Sequence, residues 1–375
     1  MIPSTMCAAR LHVIGGNFQI DQMAVPSLRP TDVLVRVEAA GIVPNLRNVV
    51  ANYPTTRPFL PLPKLPAVFG LDSAGVIAAV GEGVSGGLRA GERVYVNPAL
   101  SCGGCQACRS GEPNNCPDFT FMGYFGFGRH SQTQFDAYPY GGFSEYLTAP
   151  AANVVKLPDN ISFEQACRFG YLGTSYSGLR KLDFRPGQTL LVNGATGTLG
   201  VGAVLLGLAM GASRIFITGR DRTRLENLKK LAPERIDVIA GERSVASQVL
   251  SLTEGYGADA MLEALAFQAP AAKIVDAINA VRRGGKVVNV GGVIESLPLD
   301  PSRMMAQQKS FIGSLWFTTA EGEELAAITK SGALRLDVFD TQVFPLTRIN
   351  DALAAAGSNG GFSNVVICHR EIESA

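Results

Sequence analysis

Histidine is nearly absent from this chain of 375 residues, which contains only three: His12, His130 and His369. Imidazole is the commonest side-chain ligand of metal ions in proteins. This scarcity argues against a reactive metal site that is built from several histidines. Any metal in this protein must be held mainly by other ligands.

An excess of charge of either sign is also lacking. Charged residues make up 17% of the chain and the formal net charge is +1, so neither nucleic acid nor an anionic membrane surface is an expected partner. The start, MIPSTMCAARLHV, has no signal-peptide pattern. The uncharged stretch from Gly187 to Ser213 is interrupted by glycines and fits a buried βα unit better than a membrane span. We therefore expect a soluble, cytoplasmic protein.

Four of the seven cysteines follow the pattern C-x2-C-x2-C-x7-C. Thiolates at this spacing, in a loop rich in glycine, proline and asparagine, can surround one tetrahedral zinc ion. Disulfides and unrelated buried thiols are the alternatives, but the cysteine total is odd and no secretory signal is seen. Four protein ligands leave no open position on the metal, so the pattern predicts one structural zinc per chain. The predicted ligands are Cys102, Cys105, Cys108 and Cys116.

The order of strand-like and helix-like segments predicts an α/β protein. Short strand patterns separated by glycine and proline fill the first part of the chain, for example DVLVRVEAAG and ERVYVNP. Strands and helices then alternate through five strands, which predicts a doubly wound parallel sheet. The tail adds helical stretches and a last strand, SNVVICH, and is expected to pack back onto the first domain. We place the domains at residues 1–170, 171–312 and 313–375.

A glycine-rich turn joins the first strand of this alternation, TLLVNG, to an apolar helix. Such a turn lets the backbone approach a pyrophosphate at the positive end of the helix. A tight turn without a ligand is the alternative, but the position at the first βα junction favours dinucleotide binding. The predicted coenzyme contacts of this kind are Gly194, Gly197, Thr198, Leu199 and Gly200, together with Gly291 after the fifth strand.

The end of the second strand, ITGRDRTR, indicates which dinucleotide binds. An acidic residue there would bind the ribose hydroxyls of NAD, but the chain has Gly219, followed by Arg220 and Arg224. Because arginine suits a 2′-phosphate, NADPH is predicted over NADH. Two alternatives remain: the arginines begin a solvated helix, or Asp221 binds a ribose.

The segment order resembles the medium-chain dehydrogenase/reductase superfamily, and specifically zinc-containing alcohol dehydrogenases. The resemblance rests on the four-cysteine loop, GGFSEYLTAP, the GATGTLG turn and RRGGKVVNVGG. It implies a GroES-like β-rich catalytic domain, a Rossmann domain, an active site in the cleft between them, and a homodimer or homotetramer. It also places Thr174 against the nicotinamide.

The sequence departs from this family where a reactive zinc would bind. The resemblance puts the three ligands at Val43, Leu71 and Gly170, whose side chains cannot coordinate zinc. Asn45 and Asn48 occupy the proton-relay positions. Zinc-free branches of the superfamily include quinone oxidoreductases and enone or enoyl-thioester reductases. These zinc-free branches are similar to this chain between Val43 and Leu71, but they usually lack the four-cysteine loop.

An acceptor that delocalises the added charge, such as an enone or quinone, suits a site without an electrophilic metal. We predict that Asn45, Asn48 and Tyr53 polarise or protonate it, with structural roles in a loop as the alternative. For Asp72, a structural hydrogen bond or ion pair is favoured over a role as general base. Aromatic-rich residues that can line the pocket, or simply pack inside a surface loop, are Tyr124, His130, Tyr138 and Tyr140.

The predicted function is an NADPH-dependent oxidoreductase that transfers hydride to an activated double bond of a small-molecule substrate. Two alternatives are also enzymes: a carbonyl or imine reductase, and an alcohol dehydrogenase that works without reactive zinc. A third alternative, of a different class, is a non-catalytic NADPH-binding protein.

Overall fold

The computed structural model describes residues 1–241, 243–358 and 360–369. Its strands are β1 (Thr5–Leu11), β2 (Phe18–Ala24), β3 (Asp32–Gly41), β4 (Ala67–Val68), β5 (Asp72–Val80), β6 (Arg93–Val96), β7 (Ala99–Leu100), β8 (Thr120–Phe121), β9 (Tyr146–Pro150), β10 (Val154–Lys156), β11 (Thr189–Asn193), β12 (Arg214–Thr218), β13 (Ile236–Ile239), β14 (Ala258–Glu263), β15 (Val281–Asn289), β16 (Ser310–Gly313), β17 (Asp340–Pro345) and β18 (Ser363–Cys368). Its α-helices are α1 (Leu46–Thr56), α2 (Gln106–Arg109), α3 (Ser131–Ala137), α4 (Phe163–Ala166), α5 (Phe169–Lys181), α6 (Thr198–Ala209), α7 (Arg222–Lys229), α8 (Val245–Leu252), α9 (Ala271–Asn279), α10 (Pro301–Gln307), α11 (Thr319–Lys330) and α12 (Ile349–Ser358).

Strand β3 lies at the centre of the largest sheet of the first domain. It pairs antiparallel with β5, β9 and β18, and every residue in it except Arg36 is buried. Neighbours on both sides and burial on both faces explain why its sequence is an almost continuous apolar run. The β-rich first domain predicted from the sequence is therefore present.

The second domain contains a six-stranded parallel sheet in the order β13-β12-β11-β14-β15-β16. Strands β11 to β15 are the five that the alternation predicts. Strand β16 was not predicted from the sequence, because it is only four residues long and has a serine and a glycine at its ends. The order reverses beside β11, so the carboxyl ends of β11, β12 and β14 form a crevice at the switch point.

The last part of the chain returns to the first domain. Strand β17 pairs in parallel with β18, and β18 pairs with β3, so that Val366 lies opposite Gly41. This return brings the loop before β18 close to the turn between β11 and α6. None of the helices in the described ranges is long and apolar enough to cross a membrane.

Candidate functional site

The four predicted zinc ligands meet at one point in the loop around α2. The sulfur atoms of Cys102, Cys105, Cys108 and Cys116 all lie within 4.8 Å of one another. Four thiolates at about 2.3 Å from a tetrahedral zinc ion lie about 3.8 Å from one another, so these sulfur atoms are close enough to share one ion. The donor set therefore fits one zinc ion with a closed coordination shell, which would hold the loop together.

Backbone N–H groups point at the sulfur atoms of this loop, which favours the thiolate form. The amide of Cys105 donates to Cys102 Sγ at 3.4 Å, and the amide of Asp118 donates to Cys116 Sγ at 3.4 Å. Hydrogen bonds from Gly104 and Cys105 lower the pKa of Cys102 to about 7, whereas burial raises the pKa of Cys116 to about 12. Metal binding would deprotonate the buried thiol as well.

A cleft of about 470 Å³ lies at the carboxyl ends of the parallel strands and receives the start of α6. Gly197 is the N-cap of α6, and both Gly197 and Thr198 line the cleft. The free N–H groups and the positive end of a helix form an anion site, as a pyrophosphate requires. The cleft therefore has the position and the chemistry of a dinucleotide site.

The glycines of the turn are required by backbone geometry. Gly194 has φ +89°, and a Cβ there would lie 3.0 Å from the carbonyl carbon of Ala264. A Cβ at Gly200 would lie 2.5 Å from the Cα of Ala195, so this glycine allows α6 to approach the turn closely. A side chain at either position would distort the turn. The two glycines therefore keep the turn in the tight conformation that a dinucleotide site requires.

A buried polar network supports the turn from below. The amide of Gly194 donates to Thr218 Oγ1 at 3.1 Å, and that hydroxyl donates to Asn193 Oδ1 at 2.6 Å. Asn193 Nδ2 in turn donates to Glu263 at 2.6 Å, and Glu263 also accepts from the amide of Leu265. Burial raises the pKa of Glu263 to about 7. This network, which was not predicted from the sequence, joins the ends of β11, β12 and β14.

The end of β12 presents cations to the cleft and no free carboxylate. Gly219, Arg220 and Arg224 all line it. Asp221 is committed elsewhere, because its side chain caps α7 at the amide of Arg224 and pairs with the Arg224 guanidinium at 3.1 Å. A Cβ at Gly219 would lie 2.9 Å from Thr196 Cγ2, so an acidic side chain there would also require Thr196 to move.

The other predicted coenzyme residues lie near the cleft but not in its lining. Thr174 is buried in α5 and donates its hydroxyl to the carbonyl of Gly170 at 2.8 Å. The carbonyl of Leu199 accepts from Ser175 Oγ, which joins α5 to α6. The amide of Gly291 donates to the Glu263 carbonyl, and a Cβ at Gly291 would lie 2.7 Å from the Leu265 carbonyl oxygen. These residues pack around the cleft and set its shape.

A buried acid fills the space beside Gly170. Asp72 is 2% exposed and accepts a 2.7 Å hydrogen bond from the Tyr95 hydroxyl. A Cβ at Gly170 would collide with Asp72 Oδ1, so the missing side chain makes room for this carboxyl group. Burial raises the pKa of Asp72 to about 7, although the Tyr95 hydrogen bond and the nearby Arg168 favour the charged form. Asp72 thus makes a structural hydrogen bond.

Two other positions at which the resemblance places ligands of a reactive zinc are apolar and buried: Val43 is 7% exposed and Leu71 is 6% exposed. Among the described residues, the four-cysteine loop is the one group of three or more His, Cys, Asp or Glu side chains close enough to hold a metal ion. Asp72 is not part of such a group.

An aromatic wall closes the same pocket. Trp316 has φ +56°, which is a strained conformation for a bulky residue. Its indole N–H donates to Asn97 Oδ1 at 2.8 Å, and Asn97 Nδ2 donates back to the carbonyl of Phe317. The ring tip would lie 2.7 Å from a Cβ at Gly170. The sequence carries no signal for this contact, because it depends on the returning tail.

The three predicted catalytic residues are brought together on α1. Asn48 Nδ2 donates to Asn45 Oδ1 at 3.1 Å, and Asn45 Nδ2 donates to the Tyr53 hydroxyl oxygen at 3.3 Å. Among the residues that the structure describes, Tyr53 has no acceptor for its own hydroxyl proton. The three side chains therefore form one hydrogen-bonded chain that ends in an available hydroxyl proton. None of the three is among the residues that line the coenzyme cleft, although Pro44 next to Asn45 is.

Of the residues suggested as pocket lining, only Tyr124 is close to this region. Tyr124 is buried, and its ring contacts Phe125, whose ring also contacts that of Tyr53. The suggestion is wrong for the other three. His130 is exposed and pairs with Asp118, Tyr138 donates to Asp32 at 3.1 Å, and Tyr140 lines a separate cavity next to Arg10.

Comparison with known proteins gives two family models that match this chain. One is described as alcohol dehydrogenase GroES-like domain, over residues 29–159, and the other as zinc-binding dehydrogenase, over residues 198–331. A sorbitol dehydrogenase from Bacillus subtilis is 30% identical over 295 residues, covering 77% of this chain and 76% of that protein. An alcohol dehydrogenase from Geobacillus stearothermophilus is 30% identical over 349 residues, 92% of this chain and 94% of that protein. A solved alcohol dehydrogenase from a Thermus species has a TM-score of 0.82 at 28% identity and covers 97% of this chain and 100% of its own.

Proposed function

The chain belongs to the zinc-type alcohol dehydrogenases of the medium-chain dehydrogenase/reductase superfamily, and we propose that it is an NADPH-dependent reductase of activated carbon–carbon double bonds. One observation supports this proposal most directly. The residues at the positions expected to bind a reactive zinc, Val43, Leu71 and Gly170, have no side chain that can bind zinc, whereas the coenzyme cleft has the residues that a dinucleotide needs. An enzyme without a reactive zinc needs an acceptor that can stabilise the developing negative charge without a metal ion.

The preference for NADPH is supported by the end of β12. Arg220 lines the cleft, and among the described residues its guanidinium has no ion-pair or hydrogen-bond partner. The neighbouring carboxylate of Asp221 is occupied by its helix cap and by Arg224. A free guanidinium suits the 2′-phosphate of NADPH, and no free carboxylate in this stretch suits the ribose of NADH.

When bound, NADPH would supply the hydride that is added to the carbon of the acceptor remote from its carbonyl group. The displaced π electrons move to the carbonyl oxygen as an enolate. In this proposal the amide of Asn45 and the hydroxyl of Tyr53 donate hydrogen bonds where this charge develops. Tyr53 then delivers the proton that completes the second C–H bond, and solvent replaces that proton. Asn48 orients Asn45 through the 3.1 Å hydrogen bond.

The reaction type is tested with matched acceptors. The enzyme is incubated with NADPH and either an α,β-unsaturated ketone or its saturated counterpart, and the products are identified by mass spectrometry. We expect only the unsaturated ketone to be reduced, by two hydrogens at the double bond. Consumption of only the saturated ketone would establish a carbonyl reductase instead. Binding of NADPH with no oxidation by a broad panel of electrophiles would favour the non-catalytic alternative.

The role of Tyr53 is tested with Tyr53→Phe, which removes the available proton. We expect kcat to fall by about 10²-fold, the lower range for loss of a general acid, with little change in the affinity for NADPH. Tyr138→Phe is the matched control, because Tyr138 is also half-buried with a hydrogen-bonded hydroxyl but lies away from the cleft. An equal effect of both substitutions would contradict the assignment.

Coenzyme choice is tested with Arg220→Ala. Loss of a charge-assisted hydrogen bond of about 1.5–3 kcal/mol predicts a 10-fold to 100-fold weaker binding of NADPH, with NADH unaffected. Arg222→Ala is the control, because Arg222 pairs with Glu226 and does not line the cleft. An unchanged NADPH/NADH ratio in Arg220→Ala would remove the argument from β12.

A further inference from the structure

Arg168 is a buried cation that has no carboxylate partner in direct contact among the residues that the structure describes. The residue is 4% exposed. Its Nη1 donates to the carbonyl of Ser363 at 3.1 Å and its Nη2 to the carbonyl of Gly361 at 3.2 Å. Within the described part of the chain its Nε has no hydrogen-bond partner. The guanidinium also lies over the rings of Phe339, at 4.6 Å, and Tyr171, at 5.3 Å.

The segment that Arg168 binds forms part of the coenzyme cleft. Gly360 and Gly361 line it. The amide of Gly361 donates to the carbonyl of Thr196 in the glycine-rich turn at 3.1 Å, and a Cβ at Gly361 would lie 2.5 Å from the carbonyl oxygen of Gly197. A Cβ at Gly360 would lie 2.7 Å from the guanidinium carbon of Arg224. The returning tail therefore touches both the turn and the arginine end of the cleft.

Stability alone is a weak reason for this arrangement. A buried charge costs desolvation energy, and apolar residues of similar volume often stabilise a protein equally well. The aromatic faces and two carbonyl groups offset part of this cost. The guanidinium and its partners instead fix a local geometry. Because the guanidinium is planar, it holds two carbonyl oxygens in fixed positions at once.

We propose that Arg168 is a positioning residue for the coenzyme. Its two Nη–H groups hold the carbonyls of Gly361 and Ser363, and this holds the Gly361 amide against Thr196. The turn between β11 and α6 then keeps the conformation that receives a pyrophosphate. The pyrophosphate is common to NADH and NADPH, so the proposal does not depend on the acceptor or on the choice between the two coenzymes.

The test uses Arg168→Met and Arg168→Gln in the full chain, with binding measured by isothermal titration calorimetry. Four ligands are compared: NADPH, NADH, ADP-ribose, and 2′-AMP, which lacks the pyrophosphate. We expect Arg168→Met to weaken the first three by about 10-fold, equivalent to about 1.4 kcal/mol, and to leave 2′-AMP unchanged. Arg168→Gln, which can donate to one carbonyl, should weaken them less. The NADPH/NADH ratio should stay as in the wild type.

Arg93→Met is the matched control. Arg93 also donates to two backbone carbonyls, those of Pro158 and Ile161, and lies over an aromatic ring, that of Phe163 at 4.6 Å. It does not line the cleft. Its loss should lower thermal stability without changing coenzyme affinity.

Wild-type affinities in the Arg168 variants would overturn the proposal. An equal weakening of 2′-AMP, or the same weakening in Arg93→Met, would also overturn it, because either result indicates general destabilisation. If Arg168→Met does not fold, Arg168→Gln decides, together with amide hydrogen exchange at Gly361. That exchange should be faster in Arg168→Gln than in the wild type, and an unchanged rate would count against the role of Arg168.

Discussion

The four-cysteine loop and the pocket around Asp72 are the two places where the resemblance to zinc-type dehydrogenases puts a metal ion, and they differ in what holds them together. The loop has few apolar side chains, and Cys102 is exposed, yet its four sulfur atoms converge within 4.8 Å. In the pocket, the resemblance places the ligands at Val43, Leu71 and Gly170, and the buried side chains of Asp72, Tyr95 and Trp316 fill the space. One region depends on coordination and the other on packing and a buried hydrogen bond.

This difference separates two roles of metal that usually occur together in one protein. A structural zinc contributes directly to folding energy, so a loop without a core needs it. A reactive zinc contributes to the transition state, and its pocket can be filled by side chains without loss of the fold. The two sites can therefore be disturbed independently.

The largest expected effect is in the loop. Cys116→Ser should reduce the zinc content from about one equivalent per chain towards zero and lower the free energy of unfolding by more than about 4 kcal/mol, because zinc binding stabilises the folded loop. Metal content is measured by atomic emission, and stability by urea unfolding. Cys7→Ser, which lies outside the cluster, should retain both. Two equivalents of zinc in the wild type would contradict the assignment of the ligand positions.

Short-range sequence patterns predict the four-cysteine loop but not the pocket around Asp72. The cysteine spacing specifies the loop because its ligands lie within fifteen consecutive residues. The glycine turn and strands β11 to β15 also follow from local pattern. Local pattern carries no information on the contact between Asp72 and Tyr95, which joins residues 23 positions apart.

Contacts made by the returning tail were still harder to predict. The hydrogen bond from Arg168 to Gly361 spans 193 positions, and the one from Trp316 to Asn97 spans 219. Gly361 lies directly before β18, whose pairing with β3 brings the end of the chain back to the first domain, whereas Trp316 follows β16. The sequence predicts that the tail packs back onto the first domain, but not which side chains it places at the cleft.

The second effect concerns the pH dependence of stability. The pKa of Asp72 is raised from 3.8 to about 7, so the folded protein binds a proton that the unfolded chain releases above pH 3.8. Stability is therefore expected to fall as the pH rises from about 4 to about 7, by up to about 4 kcal/mol from this group. Urea unfolding at a series of pH values should give a smaller fall for Asp72→Asn.

Glu263→Gln is the matched variant, because Glu263 is also expected to make the free energy of unfolding fall as the pH rises. Burial raises its pKa to about 7 as well, so the slope of the wild type contains both groups. Glu263→Gln should remove its own share and leave that of Asp72. If the free energy of unfolding of Asp72→Asn falls with pH as steeply as that of the wild type, the Asp72 carboxyl group is already charged at low pH in the folded protein.

The smallest effect tests whether the pocket around Asp72 is closed by packing. Gly170→Ala places a methyl group against Asp72 and the ring of Trp316, and overpacking of this kind should cost about 2 kcal/mol of unfolding free energy. Gly357→Ala is the control, because this helical glycine has nothing within 4 Å of a Cβ, and it should gain up to about 1 kcal/mol. In Gly170→Ala combined with Asp72→Ala, most of the clash is removed, so the two losses should be less than additive. Strict additivity would mean that the carboxyl group does not occupy the space that Gly170 leaves.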